Sequence, residues 1–258
     1  MAFLDHQGPL AFAHRGGPAH HPENSWPAFT HAVSLGYTYL ETDVHATADG
    51  VLVAFHDHTL DRVTDRTGRI ARMPYREVAA ARIAGREPIP LLEELLAAWP
   101  EARFNIDVKD GPAIRPLARV LARAKAWDRV CVCSFSAARL RATRQAVGRP
   151  VCMSLSPAAL AAVRLSGRLG TGALLGRLAA AGLCCAQVPA WMATRSFIRR
   201  AHGLGLPVHV WTVNDRTEMT CLLDLDADGI MTDETVLLRD VLAARGQWRP
   251  IRRQGAAV

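Results

Sequence analysis

The sequence predicts an α/β fold of the (β/α)8 TIM barrel kind with a small insertion after the second barrel strand, and three observations carry that prediction. Short apolar runs alternate with helix-patterned segments along the whole chain, the signature of βα units around a parallel sheet. The runs number eight, at 10–14, 39–44, 103–108, 130–135, 151–155, 184–188, 208–213 and 229–232. Eight repeats in 258 residues, about one per 32, match the usual size of such a barrel. A doubly wound open sheet is the competing arrangement.

Each element has a local reason. The first run, Ala11-Phe12-Ala13, ends in a histidine and a cation. The second and third alternate apolar and polar residues with the strand period of two. Later runs hold Cys131 and Cys133, or Cys184 and Cys185, among apolar neighbours. Helix patterns over 25–35, 114–126, 137–147, 193–202, 217–223 and 235–244 fill the gaps. One segment breaks the rhythm. Residues 50–55 alternate like a further strand, and a polar stretch rich in Arg, Asp and Thr runs on to about Pro90, ahead of a helix at 91–99. We assign about 50–90 to the insertion, read 1–258 as a single domain and expect a flexible tail from about 247 to 258. The glycine-rich 167–176 lacks the Lys-Ser/Thr of a phosphate-binding loop and is expected to be a plain loop.

Composition excludes other classes. Half the residues are hydrophobic and 21% charged, enough apolar material for a substantial core. Nineteen Gly and 15 Pro without a period exclude a collagen-like repeat. Six cysteines are too few for a disulfide scaffold, have no zinc-ligand spacing and read as free thiols. The net charge of +7 comes almost wholly from arginine, since only Lys109 and Lys125 are lysines. Those arginines are scattered over helix faces, apart from Arg249, Arg252 and Arg253, so an anionic small molecule is expected as partner rather than nucleic acid. No basic segment precedes a long apolar run at the N-terminus, and residues 173–193 are broken by Gly, Arg, Gln and Pro. A cytoplasmic location without stable membrane insertion is therefore expected. No segment marks a dimer interface.

In a parallel barrel, function collects where strands end at the C-terminal face. The first strand runs into His14 and Arg15. The second carries Glu41 and Asp43 on one face, and two carboxylates turned into a core need a metal or a basic partner. The third carries Asp107 and Lys109 together. Glu41, Asp43 and Asp107 are hard oxygen donors suited to Mg2+ or Ca2+, while Arg15 and Lys109 suit a phosphate. His56, soon after the carboxylate pair, supplies a second imidazole. Two imidazoles at one cation suit phosphodiester cleavage, one taking a proton and the other giving one. Trp211, at the end of the seventh strand, is expected to wall the pocket. Phe135, Trp191 and Met192 also lie at strand ends, where core packing explains them as well. His20, His21, His45 and His58 are expected to be exposed loop residues.

These residues stand in AHRGGPAHHPENSWPAF, YLETDVHATADGVLVAFHDHTLDRVTDRTGRI, FNIDVK, VHVWTVND and DGIMTD, and there the chain resembles the glycerophosphodiester phosphodiesterases. The ordered motifs HRG, PEN, ExDV, TxDG and HD carry the resemblance over nearly the whole chain, with little from 137–186. It implies hydrolysis of glycerophosphodiesters to glycerol 3-phosphate and an alcohol, with a divalent metal, Mg2+ or Ca2+, as cofactor. It also implies attack by the neighbouring glycerol hydroxyl, giving a cyclic phosphate that water opens. His14 and His56 become the acid/base pair, Glu41 and Asp43 metal ligands, Arg15 and Lys109 phosphate contacts, and Glu23 and Asn24 residues lining the site. Asp107 replaces the family's usual Glu, one methylene shorter, so it ligates directly or through water. Two alternatives stand beside this reading: a lysophospholipase D-type enzyme acting on lysophospholipids, and a catalytically silent phosphodiester-binding barrel.

Overall fold

The computed structural model describes residues 2–166 and 171–250. β1 (Leu10–Ala13) and β2 (Tyr39–Ala46) are followed by three short strands of the insertion, β3 (Leu52–Ala54), β4 (Arg82–Ile83) and β5 (Glu87–Pro88). Then come β6 (Arg103–Val108), β7 (Val130–Cys133), β8 (Cys152–Ser154), β9 (Leu183–Pro189), β10 (Val208–Trp211) and β11 (Gly229–Thr232). Parallel pairing runs through β1, β2, β6, β7, β8, β9, β10 and β11, and β11 pairs back onto β1. The eight expected strands thus close into the expected barrel.

Helices α1 (Trp26–Ser34), α2 (Tyr75–Val78), α3 (Leu92–Ala98), α4 (Ile114–Ala124) and α5 (Ala137–Val147) are followed by α6 (Pro157–Leu165), α7 (Thr171–Ala180), α8 (Arg195–Gly203), α9 (Arg216–Asp224) and α10 (Thr235–Ala244). Several start where the sequence provides a cap. Ser25, Ser136, Ser156 and Thr194 accept from the backbone N–H three residues on, and Asp215 accepts from Glu218 at 2.9 Å. The expected loop at 167–176 needs correction. Residues 167–170 lie outside the described residues, and from Thr171 the chain is helical. Leu174 and Leu178, one turn apart, pack on the core there, and that burial outweighs the helix cost of Gly172 and Gly176, about 1 kcal/mol each.

The insertion is built on β2. Its strand β3 pairs antiparallel with β2, Val44 opposite Ala54, and a separate apolar cluster including Phe55, Leu60, Ile70 and Ile83 sits beneath it. From the segment read as a tail, Trp248 packs against Tyr37 with ring centroids 5.1 Å apart, while 251–258 lie outside the described residues.

Strand alternation sorts the barrel core. Residues turned outward meet the helices in the main cluster, whereas Phe12, Tyr39, Cys131, Cys152, Cys185 and Met231 fill the lower interior, with Phe3 packed beneath them. Tyr39 donates its hydroxyl to the Phe3 carbonyl at 2.7 Å. Three cysteines with no zinc-like spacing in sequence, Cys131, Cys152 and Cys185, come together here because they sit on neighbouring strands. His209 shares this interior, 5.0 Å from the Phe12 ring, with neither ring nitrogen hydrogen-bonded. Gly229 stands opposite it, where an added Cβ would lie 3.0 Å from His209 Cδ2.

Burial pushes the His209 pKa from its ordinary 6.5 down to about 4. In acid the unfolded chain therefore takes up this proton before the folded one, and the associated stability, present above pH 6.5, is lost as pH falls toward 4. We predict that His209→Leu removes this loss. In urea unfolding at a series of pH values, the variant should gain about 3 kcal/mol relative to wild type between pH 7 and pH 4. Parallel pH profiles for the two proteins would contradict this.

Candidate active site

The site begins with a turn that depends on two glycines. After β1 the backbone passes through positive φ at Arg15 (48°), Gly16 (83°) and Gly17 (87°). A Cβ on Gly16 would come within 2.8 Å of Ala28 Cβ, and one on Gly17 within 2.4 Å of Thr235 Cγ2, so both glycines are required sterically. The turn aims the Arg15 N–H at Glu41 Oε2 (2.9 Å) and places His14 over the barrel mouth.

Alternation on β2 and β6 turns Glu41, Asp43, Asn105 and Asp107 into the barrel, all 6% exposed or less. A cavity of about 590 Å³ opens above them, lined also by His14, Arg15, His56, Lys109 and Trp211. Lys109 Nζ lies 2.8 Å from both Asp43 and Asp107, and Arg15 Nε lies 3.4 Å from Asp43. Arg139 braces this lysine, donating to its backbone carbonyl and to Ser134 Oγ.

The cations do not neutralise the three acids evenly. Burial opposes ionisation of Asp43, but Lys109 and Arg15 outweigh it and hold the carboxyl below the usual range. Glu41 has no such lysine. Burial, with Asp43 alongside, raises its pKa to about 7. Burial likewise raises Asp107, only partly offset by Lys109, and its Oδ1 is buried without a hydrogen-bond partner. Burial works against the Lys109 charge, yet Asp43 and Asp107 more than compensate and raise its pKa.

Each histidine is oriented by an aspartate. His14 Nδ1 lies 2.7 Å from Asp233 Oδ1 at the end of β11, and His56 Nδ1 lies 2.6 Å from Asp57 Oδ1. Both rings thus use Nδ1 for their carboxylate, and His14 Nε2 sits 3.9 Å from Glu41. Burial disfavours the charged His14 ring, but the Asp233 hydrogen bond and the Glu41 charge prevail and raise its pKa. Asn214 Nδ2 holds Asp233 at 2.7 Å, and Arg62 clamps Asp57 and Glu23.

Two expected lining residues take a different position. Asn24 is 1% exposed, donating to Asp43 Oδ2 at 3.2 Å and accepting from Thr42 at 2.7 Å. Glu23 binds Arg15 and Arg62. Neither lines the cavity, because a helix-entry turn spends their polar atoms on holding Asp43, Arg15 and Arg62. His45 is also corrected, being fully buried on β2 rather than exposed in a loop. Its Nδ1 lies 2.9 Å from Asp110 and its Nε2 3.1 Å from the His56 carbonyl. β2 continues past its β6 partner to pair with β3, which covers this ring. Asp233, Asn214 and Arg62 were not assigned roles from sequence. The strand-end position of Asp233 and the DGIMTD and VHVWTVND segments that hold Asp233 and Asn214 could have signalled them.

Hard oxygen donors, one of them orphaned and another with its pKa raised by burial and a neighbouring carboxylate, fit a divalent metal. They are more open than the described clusters whose donor atoms all lie within 4.8 Å, such as His45, His58 and Asp110, because the Lys109 ammonium intervenes.

Comparison with known proteins shows what the chain is similar to. The glycerophosphoryl diester phosphodiesterase family model matches residues 14–237. The chain is 41% identical over 254 residues to the Mycobacterium tuberculosis protein named "Probable glycerophosphodiester phosphodiesterase 2", covering 96% of each. It is 27% identical to a Homo sapiens lysophospholipase D, over 89% of this chain and 85% of that one. An Oleispira antarctica phosphodiesterase, solved with its product sn-glycerol-3-phosphate, shares the fold with a TM-score of 0.78 at 21% identity, over 92% of this chain and 97% of that one.

Removing Lys109 leaves Asp43 and Asp107 facing each other without their shared cation. We predict that Lys109→Met costs about 3 kcal/mol of stability at pH 7 in urea unfolding. A loss below about 1 kcal/mol, the scale of an exposed pair, would contradict this account of the floor.

Proposed function

The chain belongs to the glycerophosphoryl diester phosphodiesterase family, and we propose that it hydrolyses glycerophosphodiesters to sn-glycerol 3-phosphate and an alcohol. One observation carries this reading: His14 and His56, each with an aspartate on Nδ1, line a single cavity over a floor of Glu41, Asp43, Asp107 and Lys109. In this reading the glycerol hydroxyl beside the phosphate attacks phosphorus while one histidine takes its proton. The alcohol leaves with a proton from the other. Water then opens the cyclic phosphate with the two roles exchanged.

Arg15 and Lys109 orient the phosphoryl oxygens, Asp233 and Asp57 fix the two imidazoles, and Trp211 walls the cavity. Glu23 and Asn24 act on the substrate only through Arg15 and Asp43. Glu41, Asp43 and Asp107 would hold Mg2+ or Ca2+, Asp107 through its orphaned oxygen. Such an ion supplies charge neutralisation at phosphoryl oxygens.

A second substrate reading, a lysophospholipid, is favoured by the apolar wall of the cavity. Leu155, Pro157, Leu160 and Met192 line it, and Phe135 and Trp191 stand at its mouth 63% and 69% exposed. This wall could take an acyl chain, in keeping with the name of the Homo sapiens relative.

The test is release of glycerol 3-phosphate from glycerophosphocholine by the purified chain, with EDTA and after return of Mg2+ or Ca2+, beside lysophosphatidylcholine as competitor substrate. We expect EDTA to abolish turnover and metal to restore it. His14→Ala and His56→Ala should each lower kcat by at least about 100-fold with melting unchanged. Asp233→Asn should lower it about tenfold, because the ring loses its orienting partner. Turnover that ignores both EDTA and the histidine substitutions would overturn the proposal.

A further inference from the structure

The charges of this chain are segregated. From Arg129 to Asn214 there are eleven arginines and not one aspartate or glutamate, so this stretch is +11 while the remainder is −4. It folds into β7 to β10 and α5 to α8, one contiguous side of the barrel. On the same side the mouth of the cavity carries its exposed apolar side chains. Phe135 follows β7 and meets Trp211 edge-on at 5.8 Å, and Trp191 follows β9. The Arg164 guanidinium lies 6.0 Å from the Trp191 ring centroid, its neighbour Leu165 is 82% exposed, and exposed Arg195 opens α8 four residues after Trp191.

Large aromatics beside arginines, with aliphatic surface behind them, suit the headgroup region of a bilayer, where rings enter the interface and cations meet lipid phosphates. We propose that the face on which the cavity opens docks on an anionic phospholipid bilayer through Trp191 and Phe135, with Arg164 and Arg195 against the headgroups. The inference deepens the phosphodiesterase reading, since it places that site's mouth at a lipid surface. The docking proposed is peripheral, through side chains of this face; among the described residues no helix is long and apolar enough to cross a membrane. A nucleic acid also seeks arginines and aromatic rings, but the aliphatic wall formed by Leu155, Pro157, Leu160 and Met192 gives its charged backbone no partner.

The experiment is sedimentation of the full chain with vesicles of phosphatidylcholine alone, or of phosphatidylcholine and phosphatidylglycerol in equal parts. Glycerophosphocholine turnover is measured on the same preparation. Binding should be at least about tenfold stronger to the anionic vesicles and should weaken with salt. Both Phe135→Ala/Trp191→Ala and Arg164→Glu/Arg195→Glu should reduce it about tenfold while melting as wild type does. Loss in the charge variant alone, with the aromatic variant binding normally, would overturn the docking mode. So would failure of the wild type to sediment with anionic vesicles, including when it binds single-stranded RNA instead. Turnover without vesicle binding would sink this inference and leave the phosphodiesterase reading standing. Vesicle binding without turnover would do the reverse.

Discussion

Glu41, Asp43 and Asp107 bring three carboxylates into the upper interior of a parallel barrel, where water cannot solvate them fully, and Lys109 with Arg15 cannot neutralise all three. The rest of the site answers that constraint. Lys109 takes the two acids it can bridge, Asn24 and Arg15 take the remaining face of Asp43, and Glu41 is left with a backbone N–H and a distant imidazole. The residual negative charge is what a divalent cation and a phosphodiester together can accommodate. A floor without acids could not hold such a cation, and one without Lys109 would have to protonate them.

Support for this floor comes from widely separated parts of the chain. The Gly16-Gly17 turn fits only because glycine leaves room for α1 and α10, which crowd it on either side, and that turn fixes both His14 and the Arg15 N–H. The insertion supplies His56, and buried His45 ties the His56 backbone to Asp110 at the entry of α4. The two imidazoles are carried by different parts of the chain, one on the barrel and one on the insertion, each with its own aspartate, and Arg62 ties the two parts together through Asp57 and Glu23.

Much of this was legible in the sequence, for a reason that can be stated. Buried parallel strands must be apolar and short, so eight runs marked the barrel. A period of two then placed Glu41 with Asp43, and Asp107 with Lys109, on shared faces. What was not legible depends on contacts between distant segments. Pairing of His14 with Asp233 joins positions 219 apart. Burial of His45 depends on β2 outrunning β6 to meet β3, and the inward supporting roles of Glu23 and Asn24 depend on a left-handed residue at Asn24 (φ 52°). Helix α7 was misread because two glycines masked a leucine spacing that pays off only once the barrel wall is there to bury it.

The claim that the histidine pair directs cleavage at phosphorus can be tested by turning over glycerophosphocholine in water labelled with heavy oxygen and locating the label by mass spectrometry. The account predicts label in the phosphate of glycerol 3-phosphate and none in choline. Label in the alcohol would place the broken bond at carbon and contradict the proposed roles of His14 and His56.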